Sequence, residues 1–441
     1  MEGAFGWKPR AATSPSKPWW SRYSWVWPCS RFAVPAAVSE RHVVITGLGL
    51  ITPVGSDRES SWLGLCAGRS ATRLVSVPNL PTPVCAAPLP DGIVSPDDGE
   101  PVVPLALKVC CEALDHARQP QTVYDPTRFG CVIGTSKGGC HAAQGAWQQT
   151  HRGTRSPGFQ MGDPWGFMDP QVAAREVAAR WNLQGPCLAP VAACATGLMA
   201  VARGAELIAW NRCDAILAGS VDASLVAPIL ASFRRLGVLA PSASDPSRAC
   251  RPFHRDRSGF VVGEGGAVFV LEEAAQARAR SVPILAQWRG AGLGSDAGHL
   301  TRLSPDPEPL VHLLRETLSR AEVRPEQIGY INYHGTATKG NDPLESQAVE
   351  RALGAAAGAI PGSSLKGTIG HLLGAAGSVE LAATVLALRD QQLPPTLHLD
   401  DPDPECRLDY TPLHARQNRV DTALKLSLGF GGHLVCAIVS R

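Results

Sequence analysis

Charge of one sign is what this sequence lacks most plainly. Its 41 lysines and arginines nearly cancel 39 aspartates and glutamates, leaving a formal net charge of +2 over 441 residues. Nothing electrostatic therefore favours nucleic acid or an anionic membrane as partner. Long apolar runs are missing too: none approaches the roughly 20 residues that a membrane-spanning helix needs, which argues against membrane insertion. The thirteen cysteines run from Cys29 to Cys436 with no Cys-x-x-Cys pair and no tight, even spacing. That excludes a secreted disulfide framework and fits a reducing, cytoplasmic compartment. The compositional biases of disordered, collagenous or coiled-coil chains are also absent.

What is present divides the chain unevenly. Residues 1–41 are rich in Trp, Pro, Ser and Arg and poor in acids, and Pro18, Pro28 and Pro35 interrupt any amphipathic helix. They read as an extension, either poorly ordered or a misassigned start. The acid-poor composition leaves an organelle transit peptide, and so an organelle matrix, as the alternative. From His42 onward, β-branched runs such as "HVVITGLGLITPVG", "FGCVIGTS", "CDAILAGSVDAS" and "GGAVFVLEEA" alternate with helical patterns such as "LALKVCCEALDHA" and "QVAAREVAARWNL". Strand alternating with helix implies an α/β fold with a mostly parallel sheet.

The second part repeats the theme, which suggests an internal duplication with halves at 42–285 and 286–441. Two segments stand out as its counterparts, "PVAACATGLMAVARGAELIAW" and "HLLGAAGSVELAATVLAL". Each is a helix apolar on nearly all sides and thus buried between layers. Cys194 heads the first and His371 the second. A buried cysteine often only packs, but at a helix N-terminus the orphan N–H groups and the positive dipole end favour a thiolate, the form that attacks. The "GEGG" of Gly263–Gly266 lacks the Lys-Ser/Thr ending of a phosphate loop and reads as a tight turn.

Four ordered motifs decide between the two readings of Cys194. "VAACATG" around Cys194, "YHGTATKGNDPLE" around His334, "SLKGTIGHLLGAAG" with Lys366 and His371, and "GFGG" at Gly429–Gly432 together resemble beta-ketoacyl acyl-carrier-protein synthases of the condensing, type II fatty-acid or polyketide kind. The resemblance runs from about His42 to Arg441. It implies the thiolase-like fold, two related α/β halves in a five-layered αβαβα arrangement, and a homodimer.

It further implies that Cys194 takes an acyl group from the phosphopantetheine arm of an acyl carrier protein. His334 and His371 then stabilise the enolate formed when a malonyl unit loses carbon dioxide. Lys366 positions His371, and Glu380 is its partner carboxylate. Phe430 is the gating aromatic, and its backbone N–H with that of Cys194 forms an oxyanion hole. Thr301 in "DAGHLT" and Thr336 in "HGT" hydrogen-bond the pantetheine arm. No cofactor is needed, because the carbanion comes from the lost carboxylate.

The sequence departs from the family pattern in places. Leu426 and Leu434 replace polar residues expected to line the gate, His254 and Ser258 replace aspartates, and Lys137 in "GTSKGG" stands where an apolar residue borders the acyl pocket. An ammonium there must be paired or bend to water. Two other functions compete: a catalytically weak subunit that sets chain length for a partner, and a non-decarboxylating, thiolase-like acyltransferase. The first loses the nucleophile that is present here, and the second uses a C-terminal Cys-x-Gly, whereas Cys436 is followed by Ala437 and Ile438.

Overall fold

The β-branched runs form strands that are buried on both faces. In the computed structural model, which describes residues 41–95, 99–152, 166, 168–242 and 244–441, every residue of the first strand, β1 (Val43–Ile51), is buried. It is followed in the principal sheet by β2 (Phe129–Gly134), β3 (Cys187–Leu188), β4 (Ala215–Asp222) and β5 (Gly265–Glu273). The second set is β6 (Ala286–Ser295), β7 (Tyr330–Asn332), β8 (Gly362–Ser363), β9 (Thr422–Gly429) and β10 (His433–Ser440). The extension reading of residues 1–41 lies outside the described residues except at Arg41, whose guanidinium is 2.6 Å from the Asp214 carboxylate.

The sheet order is β8-β7-β9-β10-β6-β1-β5-β4-β2-β3. Each set of five thus follows one topology: the third strand lies at one edge, then the second, fourth, fifth and first. In each, two parallel pairings are followed by two antiparallel ones. The two sets join through a short antiparallel pairing of Val43–Ile45 with Ala286–Trp288. The expectation of a mostly parallel sheet is therefore corrected to a mixed one. Between β9 and β10 the reason is local, since Phe430, Gly431 and Gly432 are too few to make the crossover that a parallel neighbour needs.

Among the helices of the described residues, these form the layers: α1 (Val102–His116), α2 (Val172–Arg180), α3 (Thr196–Ala209), α4 (Glu308–Arg320), α5 (Asn341–Leu353) and α6 (Ala376–Asp390). Helices α1 and α2 cover the outer face of the first set, and α4 and α5 that of the second. Helices α3 and α6 fill the middle and touch strands of both sets. This gives the five layers expected, with the described residues from Arg41 onward in one compact unit. The two apolar segments are indeed buried helices: all residues from Ala376 to Leu388 are buried. The charges of α3 pair with each other, Arg203 to Glu206 at 2.9 Å.

Two details differ from the sequence reading. Each middle helix is entered through a single 3-10 turn, Ala193–Ala195 before α3 and Leu373–Ala375 before α6, and both turns open on a residue with φ of +48°. The structural counterpart of Cys194 is therefore Gly374. His371 lies three residues upstream, in a segment bridged to Val262. The "GEGG" segment is extended instead of turned: Val262–Gly263 pairs with Ala86–Ala87, and Gly265 opens β5.

Helices α3 and α6 cross at two glycines. A Cβ on Gly197 would stand 2.5 Å from the Ser378 nitrogen, and one on Gly377 would stand 2.6 Å from the Leu198 nitrogen. Backbone cannot step aside as a side-chain end can. Gly377→Ala is expected to cost about 1–3 kcal/mol through overpacking, lowering the denaturation midpoint followed by circular dichroism. Gly358→Ala, where a Cβ would meet open space, should leave that midpoint unlowered.

Candidate active site

Cys194 sits in the middle of its 3-10 turn, two residues before α3 begins. The turn is held against the end of β9: the Ser427 hydroxyl donates to the Cys194 carbonyl at 3.2 Å. A Cβ on Gly429 would lie 2.6 Å from the Ala192 carbonyl oxygen and 3.3 Å from the Cys194 nitrogen. Only glycine lets the strand end this close. Ala193, held left-handed at φ +48°, stores strain of about 1–3 kcal/mol that this packing must maintain. The Phe430 backbone N–H is directed at the Cys194 thiol, and the Phe430 ring meets Phe233 edge-on at 6.5 Å.

The electrostatics reverse one expectation. Burial pushes the Cys194 thiol up to about 11, outweighing the nearby Lys137 and Lys366 charges and the Phe430 N–H that favour the thiolate. At neutral pH the group is a thiol, because the cavity removes more hydration from the anion than the lysines and the turn restore.

His334 and His371 face each other with ring centroids 5.3 Å apart, nearly perpendicular. Their hydrogen bonds fix the tautomers. His371 Nδ1 accepts the Leu373 N–H at 3.3 Å, and the Lys366 ammonium, which can only donate, lies 3.5 Å from His334 Nδ1. In the neutral ring the proton of each then belongs on Nε2. Burial, then the Lys366 charge, holds both imidazoles well below their ordinary range, so both are neutral at pH 7. The backbone on either side of His334 is fixed as well, with the N–H groups of His334 and Gly335 donating to Glu345 Oε1 and Oε2 at 2.5 and 2.8 Å. Burial raises the Glu345 carboxyl to about 7.

Lys366 and Glu380 are fully buried behind the histidines and pair at 2.5 Å. The Lys366 ammonium donates to the His334 carbonyl, so its direct contacts are with His334, where the sequence reading has it serving His371. Lys137 is paired, as an ammonium at a cavity wall must be. It bonds the Ser136 hydroxyl and lies 3.6 Å from Asp222 Oδ2, while 24% of its side chain stays accessible. The same Asp222 oxygen accepts the Gly374 N–H at 3.1 Å.

Cys194, His334, His371, Lys137, Phe430 and the two threonines all border one cavity of about 650 Å³. Thr336 is nearly buried and shares a hydrogen bond with Thr338 at 2.8 Å; Thr301 is half-exposed beside His299. Leu426 and Leu434 are not at the gate. Both are buried in the outer core under α4 and α5: Leu426 because it alternates on β9 with the inward Lys425 and Ser427, and Leu434 because it stands on β10 opposite Leu428 of that same outer face. Among the groups that sequence reasoning missed, Glu345 closes the quoted "GNDPLE" and could have been found by its spacing from His334. Asp222 and Lys425 sit in strand runs that give no such signal.

Two family profiles match this chain: "Beta-ketoacyl synthase, N-terminal domain" over residues 93–277 and "Beta-ketoacyl synthase, C-terminal domain" over residues 285–400. The chain belongs to the beta-ketoacyl synthase family. Among relatives of this ketoacyl synthase, 3-oxoacyl-[acyl-carrier-protein] synthase 2 of Rhizobium meliloti is 38% identical, covering 91% of this chain and 99% of the relative. The ketoacyl synthase alpha subunit of the tetracenomycin polyketide synthase of Streptomyces glaucescens is 36% identical over 91% and 98%. Among solved structures, a type II polyketide ketosynthase in complex with its acyl-carrier protein and bound to the hexaketide superposes with a TM-score of 0.84 at 29% identity, over 91% of this chain and 99% of that one. A beta-ketoacyl synthase from Burkholderia phymatum gives 0.80 at 31% identity over 91% and 99%. The fold is thiolase-like, and the protein is a condensing enzyme, an acyltransferase that forms carbon–carbon bonds.

The raised thiol has a measurable consequence for this ketoacyl synthase. Alkylation of Cys194 by iodoacetamide, read by peptide mass spectrometry, should keep rising with pH toward about 11 instead of levelling where an ordinary thiol does. Lys137→Ile removes a charge that favours the thiolate. It should slow alkylation at a fixed mildly alkaline pH by about three- to ten-fold.

Proposed function

We propose that this enzyme condenses an acyl group held on Cys194 with malonyl-acyl carrier protein in fatty-acid or polyketide chain elongation. The observation that carries the reading is the pair of neutral imidazoles whose Nε2 donors share a cavity with Cys194. Loading is a thiol exchange: the Cys194 sulfur bonds the acyl carbon, the bond to the pantetheine sulfur breaks, and the proton passes from one thiol to the other. The malonyl thioester carbonyl then lies against both Nε2–H groups. Its carboxylate C–C bond breaks, carbon dioxide leaves, and the electron pair becomes an enolate that two fixed donors stabilise. Because the imidazoles are neutral, they donate without giving a full proton to the carbanion.

The enolate carbon attacks the acyl carbonyl on Cys194. The N–H groups of Cys194 and Phe430 receive the resulting oxyanion, which collapses to the ketone as the C–S bond breaks, and the departing Cys194 thiolate takes a proton from solvent water. Lys366 and Glu380 hold His334 in place, while Thr301 and Thr336 bind the pantetheine arm at the cavity rim. We read the chain as two thiolase-like halves, 42–285 and 286–441, pairing with a second copy in a homodimer and working in a bacterial cytoplasm. Twelve free cysteines among the described residues support the reducing compartment. The thiolase-like alternative draws no support from Cys436, which is buried on β10 with its thiol bonded to Thr317 at 3.0 Å.

The test separates the half-reactions. Cys194→Ala should abolish the acyl adduct seen by intact-protein mass spectrometry. His334→Ala should still load Cys194 while slowing carbon dioxide release from malonyl carrier by ~2–4 kcal/mol in barrier, the loss of one stabilising donor. Equal loss of both steps would remove this division of labour. Across a series of acyl carriers, Lys137→Ile should move the loading preference toward longer saturated chains.

A further inference from the structure

Lys425 is a buried charge that this chemistry does not use. It lies on β9, whose neighbours Leu424, Leu426 and Leu428 pack into the outer core, so Lys425 faces the middle layer. There its ammonium is 2.7 Å from Glu380 Oε2, while Lys366 holds Oε1 at 2.5 Å; neither lysine side chain has any exposure. Lys425 also donates to the Leu426 carbonyl. The charged groups facing it are Glu380 from α6, Lys366 from the turn before His371, and Glu345 from α5. Two ammonium groups thus share one carboxylate, with both histidines close by. A hydrophobic residue at 425 would avoid the desolvation that such a charge suffers, so its presence asks for a role.

We propose that Lys425 is a positioning residue for the two histidines, its ammonium paired with one oxygen of Glu380 so that Lys366 stays beneath His334. With the Lys425 ammonium ion-paired against Oε2, Glu380 offers Lys366 only Oε1, and the other Lys366 donors remain on His334. Without Lys425, both oxygens are open to Lys366, which shifts toward the carboxylate and away from the ring. The charge of Lys425 acts in the same direction: it is among the charges that hold both His334 and His371 down. Its own ammonium is pulled down to about 8 by burial, so the charge is present across acid and neutral pH. The inference rests on the proposed use of neutral histidines in decarboxylation.

The sign of the effect is fixed. Removing the cation raises the histidine pKa values, the rings protonate at higher pH, and decarboxylation is lost at higher pH on the acid side. The test is release of carbon dioxide from malonyl-acyl carrier protein as pH falls from about 8, with wild type, Lys425→Met and Lys425→Arg in parallel. The midpoint of the acid limb should move up by roughly 1 pH unit in Lys425→Met and return toward wild type in Lys425→Arg. A limb that stays in place while the plateau falls would mean that Lys425 serves only the fold. Lys425→Gln, which keeps polar reach without charge, gives the same reading if Met is not tolerated. Loading of Cys194 by an acyl carrier, measured in wild type, separates the two levels: no adduct there removes the condensing mechanism, whereas an adduct with an unmoved acid limb removes only the role of Lys425.

Discussion

Everything at this site depends on how closely two buried helices approach. Helices α3 and α6 touch backbone to backbone at Gly197 and Gly377, and beside that contact the Ser378 hydroxyl of α6 bonds the Ser220 hydroxyl of β4 at 2.7 Å. Because the contact is backbone on backbone, neither helix can slide without breaking it, and interiors packed this tightly transmit displacement instead of absorbing it. The turns that open the two helices are fixed by the same crossing. Cys194 comes from one half and the histidines from the other, so their register is set by the helix contact and not by flexible loops.

The second constraint is electrostatic. A site that gathers a thiol, two imidazoles, three lysines and three carboxylates in and behind one cavity can be stable only if each charge has a partner, since desolvation in such a place costs several kcal/mol per ion. Glu380 answers Lys366 and Lys425, and Asp222 answers Lys137. Glu345, raised to about 7 by burial, receives two backbone N–H groups. The cations in this set leave the histidines neutral and the thiol less raised than burial alone would make it.

Much of this is written in the sequence, and what is not has physical reasons. Cys194, His334 and His371 are legible because each sits in a short motif whose glycines and small residues serve the backbone around it. The buried helices are legible from their lack of a polar face, and the duplication from their repetition. The antiparallel pairing of β9 with β10 was within reach, since "GFGGH" leaves too few residues for a crossover. Lys425 was not, because a lysine alternating with leucines in "ALKLSLG" looks like the solvent face of an ordinary strand. The same alternation misassigned Leu426 and Leu434, which are one residue out of step with the cavity side. The raised thiol could not be read at all: a helix start is visible in sequence, but depth of burial is not, and depth decided the sign.

The repeated turn carries a last implication, for stoichiometry. A duplicated fold offers two equivalent seats for a nucleophile, one at Cys194 and one at Gly374. The second seat is closed. A Cβ on Gly374 would stand 2.5 Å from the Ser136 nitrogen and 2.9 Å from Asp222 Oδ2, so the polar cluster that holds Lys137 fills the space a side chain would need. Only hydrogen fits there. The pseudo-symmetry of the backbone therefore does not extend to its side chains: the position equivalent to Cys194 has no room for a thiol, and the proposed chemistry would place one thioester at this pair of turns and not two.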